Sequence, residues 1–327
     1  MIKPSLLGAT TLASLFLALS PVMAGGANRA WVSGHGSDAA GCGAPSNPCR
    51  TLQYVHDNVI AAGGEIDILD PAGYGAVTIN KALSIVNDGV GTAGVQAASG
   101  AAITINAGAG DVVALRGLNI DGLGTGTNGI VFNSGGGLTI VNCVVRHFAY
   151  ASGNFATGDG ILIRPTSGSM SLLISNVIAS DNGYAGVAYY PSGNPSVTGE
   201  IDHVTAVNNQ IGLTFDSVNA SSGSAAFAVS DSVASNNAGG INVDGVAASA
   251  ALTVSVDKSS MSGNSDYGLA AQDTPNVLLG RSVLVSNRYG VQNFTSPSTV
   301  YTYGDNRING NAIMDVSGAL NTADKPQ

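Results

Sequence analysis

Charge is scarce in this chain. Asp, Glu, Lys and Arg make up 10% of the 327 residues, and the 12 basic residues are outnumbered by 21 acidic ones. A Lys- and Arg-poor surface of this kind excludes a nucleic-acid binder, which needs a basic stripe to neutralise phosphates. It equally excludes electrostatic docking on an anionic membrane. Long apolar runs are absent after residue 24, so no spanning helix of roughly 20 apolar residues is expected in the mature chain. The Cys and His spacings fit no zinc site. Phosphate loops, nucleophile elbows and G-G-x-G-x-D calcium-roll repeats are missing, and nothing suggests a nucleotide or redox cofactor.

Low charge alone does not imply disorder here, because 44% of the residues are hydrophobic and they recur with a regular period. The chain opens with Lys3, an apolar run from Leu12 to Leu19, and small residues up to Ala24, the pattern of a secretory signal peptide over 1–24. Removing it takes Lys3 away and moves the formal net charge from −9 to −10. A secreted or periplasmic destination follows. Cys42 and Cys49 lie close together in a Gly/Pro/Asn loop and are expected to pair as a disulfide in an exported protein, two free thiols being the alternative. Cys143, on the aliphatic segment I-V-N-C-V-V, reads as a buried inert thiol.

The segment Thr51–Ala61 carries apolar residues at 52, 55, 59 and 60, with Thr51 as N-cap and Gly63-Gly64 as a stop. It is the one convincing helix. Short strands follow, broken by Gly, Asn and Asp turns. From Leu115 a repeat takes over, clearest in Ile174–Val187 (I-S-N-V-I-A-S-D-N-G-Y-A-G-V). An apolar residue leads to an Asn eight positions on, then to a Gly and an aliphatic. The asparagines fall at 182, 209, 237, 264, 287 and 311, at intervals of 27, 28, 27, 23 and 24. Such a period marks a repeat architecture whose units must stack to bury their apolar faces. The expected fold is all-β: a single-stranded right-handed parallel β-helix over 65–311, entered through 25–64 and left through a loose tail at 312–327. The recurring Asn suits a left-handed turn and a side-chain ladder between coils. The Gly sits where a Cβ would crowd the return to the sheet.

Counting from each such Gly, the first and third residues should point inward and the second and fourth outward. The fourth column reads Asn133, Arg164, Tyr190, Asp216, Asp244, Gln272 and Phe294, and the second includes Thr214 and Asn242. A further column at the opposite turn reads Asn142, Asn176, His203, Asp231, Lys258, Arg281 and Asp305, a ladder of ion pairs in which His203 and Asp231 form the one acid/base candidate. Two insertions, at 149–159 and 191–200, interrupt the regularity and mark the side where function is expected.

The opening W-V-S-G-H-G-S-D-A-A-G-C…P-C-R-T-L-Q at 31–53, together with the repeat, resembles the secreted parallel β-helix proteins of the pectate-lyase-like superfamily. The resemblance covers nearly all of 30–311. It implies that the helix caps the N-terminal end of the solenoid, and that a site, if present, lies on outward strand positions. Members of that superfamily often cleave or epimerise acidic polysaccharides; others are hydrolases, tailspikes or adhesins, and the fold does not choose among them.

Asp216 and Asp244 fall on adjacent coils, about 5 Å apart by stacking. They suit a shared Ca²⁺, with Asn242 and Thr214 as further oxygen ligands, or a pair of acid/base carboxylates. Arg164 would position a sugar carboxylate, and Tyr190, Tyr150, Phe155 and Tyr184 would add stacking surface. The superfamily's acidic-sugar lyases resemble one another in using a basic residue near Ca²⁺. Here no Lys lies in the column and Arg164 is two coils from Asp216, which weighs against a lyase. Gly158-Asp159-Gly160 resembles a fragment of a hydrolase motif, with Asp159 otherwise serving the turn. The leading expectation is binding or processing of an extracellular polysaccharide along the outer strand face. The alternative is a non-catalytic structural or adhesive surface protein, with a solvated polar column in place of a site.

Overall fold

The computed structural model describes residues 26–245, 250–295 and 299–323. The expected signal peptide and the last four residues lie outside them. The chain winds as a parallel β-solenoid of about nine turns, consistent with the right-handed coil expected. Each turn contributes to three long sheets of twelve, ten and seven strands, and a two-strand sheet continues the third side near the C-terminal end. Every strand pair in the register is parallel, so each coil sits on the one before and its backbone donors and acceptors are met by its neighbours (for example Ile161 on Ile130, Val187 on Ile161, Leu213 on Val187).

The interior follows from period two. In the ten-strand sheet Ile130, Ile161, Val187, Leu213, Ile241, Leu269 and Val291 stack as one buried column, and Phe132, Ile163, Tyr189, Phe215, Val243 and Ala271 as the next. Aromatic rings fill the mid-section. Phe227, from the twelve-strand sheet, packs 4.9 Å from Tyr189 and 4.8 Å from Phe215 by ring centroids. A Cβ on Gly199 would come within 2.4 Å of the Phe227 ring, which is why that strand position carries no side chain.

The asparagine ladder is present and buried. The Oδ1 of Asn209 accepts the Asn182 backbone N–H at 3.0 Å and its Nδ2–H at 3.1 Å. The same arrangement runs through Asn237, Asn264, Asn287 and Asn311, and Asn311 in turn donates to Asp315 at 2.9 Å. Each amide also donates to a carbonyl, as Asn237 does to Ala206 at 3.0 Å. The expectation that these asparagines are left-handed is corrected. The positive φ belongs to the residue before, at Asp181, Asn208, Asn236 and Ser286. That leaves the ladder amide pointing inward, where it meets the turn's backbone groups. The glycines Gly186, Gly212, Gly240, Gly268 and Gly290 face it: a Cβ at Gly212 would lie 2.7 Å from the Gly240 carbonyl and 3.0 Å from the Asn237 amide.

At the N-terminal end Leu52–Asn58 is helical, with the Thr51 hydroxyl accepting the Tyr54 N–H. Gly63-Gly64 does not stop it. The helix ends at Val59, and the chain passes into the strand Ile60–Ile68, which spans both glycines. Before the helix, Ala27–Val32 pairs with that strand and forms the outermost member of the twelve-strand sheet. Cys42 and Cys49 form the disulfide, with Cα atoms 5.0 Å apart, and Cys143 is a buried free thiol. At the other end the coil pattern runs past 311. Met314–Ser317 and Asn321–Thr322 pair onto the ten- and twelve-strand sheets, in the segment expected to be a loose tail.

The turn column at Asn142, Asn176, His203, Asp231, Lys258 and Arg281 adopts positive φ throughout. Its expected ion-pair ladder is corrected. His203 Nδ1 bonds Asp202, not Asp231, at 2.7 Å, and Arg281 pairs with Asp257. Asp202 immediately precedes His203, and Asp257 ends the strand one coil before Arg281, whose backbone N–H alone reaches the column neighbour Asp305, at 3.0 Å.

Candidate active site on the ten-strand sheet

The outer face of the ten-strand sheet is not the solvated surface that alternation implies. Leu162, Ala188 and Thr214 point out of the coil, yet are 0%, 0% and 1% exposed. The insertion at 149–159 accounts for the covering of the first two. It crosses the outside of the sheet and is held by its own turns, with Asn154 N–H donating to Ala151, Thr157 N–H to Asn154 and Gly158 N–H to Thr127. Its Tyr150 and Ala156 pack with Val131, Leu162, Tyr184, Ala185 and Ala188 into a second apolar cluster outside the main core. Gly158 has φ +88°, and a Cβ there would press on Tyr150 and on the Tyr184 nitrogen at 2.8 Å, so the crossing requires glycine.

Four aromatic rings meet on this face. Tyr150 stacks on Tyr184 at 5.3 Å between centroids and on Phe155 at 6.2 Å, while Phe155 lies 5.4 Å from Tyr184. Tyr184 continues to Tyr190 at 6.4 Å, and their hydroxyls are bonded at 2.8 Å. Phe155 remains 55% exposed at the outer edge, an apolar ring open to solvent above a buried foundation. Burial pushes the Tyr184 phenol up to about 12, and burial together with Tyr184 raises Tyr190 further, so both hydroxyls stay protonated.

The carboxylates begin where the rings end. Asp216 and Asp244 are directly opposed on neighbouring strands, and the next coil brings Asp273 beside Gly245. Asp216 accepts the Val218 N–H at 2.8 Å. Burial raises its carboxyl above the ordinary value, with the charge of Asp273 adding to the shift. Asp244 is pushed up to about 6, first by burial and then by the charges of Asp216 and Asp273, and its Oδ1 is buried with no hydrogen-bond partner. The charge of Asp216 adds to the raising of both the Tyr184 and the Tyr190 phenol, so the carboxylate lies close enough to the rings to act on them. Beneath the rings lies Asp159, wholly buried. Its carboxyl is raised well above the usual range by burial; one oxygen accepts the Ala185 N–H at 3.2 Å and the other has no partner. The turn role expected for Asp159 holds only in part, since a buried carboxyl under Tyr184 is more than a turn former.

Of the expected residues, the structure brings Tyr150, Phe155, Tyr184, Tyr190, Asp216 and Asp244 onto one face. Arg164 stands apart from the carboxylates. Its side chain is exposed and its Nε donates to Asn133 at 2.8 Å, one coil toward the N-terminus. Asn242 and Thr214 are buried; the Asn242 amide donates to the Thr214 hydroxyl at 3.3 Å and its own oxygen accepts from Gln272 at 3.5 Å, so both oxygens that a Ca²⁺ would need beside the carboxylates are already engaged. Among the described residues no group of three His, Cys, Asp or Glu side chains is placed to hold a metal ion. The residues present therefore do not fit Ca²⁺, and no step is derived through it. Asp273 and the buried state of Asp159 were not anticipated. Asp273 is one residue out of the column, and only the register of the strands reveals it as a neighbour of Asp244.

No protein-family model matches this chain, and no curated protein is similar to it in sequence.

Proposed function

We propose that the chain is an exported glycan-binding protein that hydrolyses its polysaccharide on the outer face of the ten-strand sheet. The observation that carries this reading is the conjunction of a partly exposed aromatic run, Tyr150–Phe155–Tyr184–Tyr190, with two opposed carboxylates at its end. Flat apolar rings bind the C–H faces of sugars while leaving hydroxyls free to bond at the edges. Two carboxyls whose surroundings keep one protonated supply the acid and the base that glycosidic cleavage needs. In this scheme Asp244, protonated at mildly acidic pH, gives its proton to the glycosidic oxygen. The Asp216 carboxylate stabilises the positive charge that develops on the sugar carbon or activates water. The lyase alternative lacks a base, because Arg164 is bonded away from the carboxylates.

Kinship with the pectate-lyase-like superfamily and export through the signal at 1–24 belong to the same proposal, and the Cys42–Cys49 disulfide supports an oxidising destination. The test is incubation of the mature chain with acidic, neutral and amino polysaccharides, following new reducing ends and unsaturated products separately. Reducing ends without unsaturation, falling off above about pH 6 as Asp244 loses its proton, are expected. Silence across the panel from folded protein would favour a structural or adhesive role.

A further inference from the structure

We propose that the 149–159 insertion is a lid governed by the proton on Asp159: with that carboxyl neutral the insertion lies closed on the ten-strand face, and ionisation of the carboxyl releases it. The proposal stands whether or not the face binds a glycan. Asp159 occupies a strand position that the fold fills with apolar side chains. One coil on, the same position is Ala185, and two coils on it is Ile211, both part of the apolar cluster outside the main core. Asp159 is 0% exposed; one oxygen accepts the Ala185 N–H at 3.2 Å and the other is buried without a partner. A neutral carboxyl tolerates such a place, whereas a carboxylate needs its lone pairs met and its charge offset. The groups around it do neither. The coil before brings Asn128, whose side-chain oxygen is taken by the Asp159 N–H at 3.1 Å. The insertion brings the Tyr150 phenol, and the coil after brings Tyr184 and Tyr190, whose hydroxyls bond each other. Arg164, at the end of the same strand, favours the anion, but it is exposed and bonded to Asn133. Asp216, further along the face, adds a like charge that acts on the same Tyr184.

An anion formed here is relieved most easily by moving the insertion. The strand Asp159–Ile163 is laddered to a coil on each side. The insertion is tied mostly to itself. Asn154 N–H donates to the Ala151 carbonyl, Ala151 N–H to the Thr157 hydroxyl at 2.9 Å and Gly153 N–H to the Tyr150 hydroxyl at 3.1 Å. Among the described residues, the one hydrogen bond from the solenoid to the stretch between Ala149 and Gly158 runs from the Asn128 amide to the Ala156 carbonyl, at 2.9 Å. Residues 151–155 are exposed, and the remaining hold is the packing of Tyr150 and Ala156 on the outer cluster. A segment with so few external ties belongs to the low-stability end of a fold, where local opening precedes global unfolding. Opening would take Tyr150 and Phe155 away from Tyr184. The sign follows from burial, which holds the Asp159 carboxyl well above the usual range while the lid is closed. Closure is therefore full below the ordinary carboxylate value of about 4. It weakens by up to about tenfold per pH unit above that, and levels off once the closed form also ionises.

The experiment is hydrogen–deuterium exchange of the mature chain between pH 4.5 and 7.5, each rate divided by the intrinsic chemical rate at the same pH. Protection of 150–158, and of the Tyr184 N–H that bonds the Gly158 carbonyl, should fall by roughly tenfold or more across this range. Protection of the strand Ala250–Asp257 should stay constant. Asp159→Asn keeps the shape without the charge, and Asp159→Ala copies the residue on the next coil; either should flatten the profile of 150–158. Asp244→Asn should leave the fall in place. Protection of 150–158 that does not change with pH in the parent would overturn the proposal. So would a fall that persists in the Asp159 variants, or one that disappears in Asp244→Asn.

Discussion

Two outer faces of the same solenoid, built on the same ladder of parallel strands, differ in almost everything else. On the twelve-strand sheet one outward column reads Ser171, Thr198, Ala226, Thr253, stacked in register and exposed or half-buried. It holds small neutral side chains, and the hollow over it, about 470 Å³, is lined mainly by Ser, Thr and Ala. On the ten-strand sheet the outward residues of the same coils are Leu162, Ala188, Thr214 and Asn242, all buried. Rings lie over the first part, and three aspartates close the far end. The backbone asks only that outward positions tolerate solvent, which Ser and Thr do. Covering a leucine outside the coil takes an ordered insertion that the coil does not require, and holding an aspartate carboxyl near 6 costs stability. The contrast is what supports placing the proposed function on the ten-strand face.

The largest effect expected from this contrast is on catalysis. Asp244→Asn should lower the rate of glycan hydrolysis by about 10³-fold, roughly 4 kcal/mol of transition-state stabilisation, with little change in KM. Thr198→Val on the other face should leave the rate within twofold. The fold itself depends on neither face but on the ladder between them. Asn237→Ala leaves the Asn209 N–H and the Ala206 carbonyl unmet inside the coil and should destabilise by about 2–4 kcal/mol in urea unfolding. Thr198→Val should stay within about 0.5 kcal/mol in the same measurement.

Smaller effects sharpen the comparison. Phe155→Ala removes the most exposed ring of the aromatic run and should weaken glycan binding about tenfold, near 1.4 kcal/mol, without altering the unfolding midpoint. The pH dependence of stability should also separate the faces. Asp244 holds its proton more tightly folded than unfolded, so its favourable contribution is full below the unfolded carboxylate value and is lost as pH rises through about 6. Asp244→Asn should therefore be more stable than the parent by about 1 kcal/mol at pH 8, allowing for solvent screening, with the difference vanishing near pH 4.

Much of the fold was legible because a solenoid writes its register into its period. The asparagines at 182, 209, 237, 264, 287 and 311 gave the coil length, and the Gly-aliphatic step after all but the last gave the inward columns, which the strand pairing reproduces residue for residue. The handedness of the turn was misplaced by one residue. Both Asp181 and Asn182, or Asn208 and Asn209, are turn formers, and only backbone angles say which of the two is left-handed. The site was half legible. Alternation put Asp216 and Asp244 side by side, but could not show that the 149–159 insertion folds over Leu162 and Ala188, since that is a long-range contact with no periodic signature. It also could not show that Arg164 turns toward Asn133, because a long exposed side chain is free to reach either neighbour along its column.

The most direct test of the account is hydrogen–deuterium exchange of the mature chain with and without a bound oligosaccharide. Protection is predicted at 150–158, 184–190, 214–218 and 242–245, with no change at 169–171, 196–198 and 224–226. Protection along the twelve-strand face, with the ten-strand face unaltered, would contradict it.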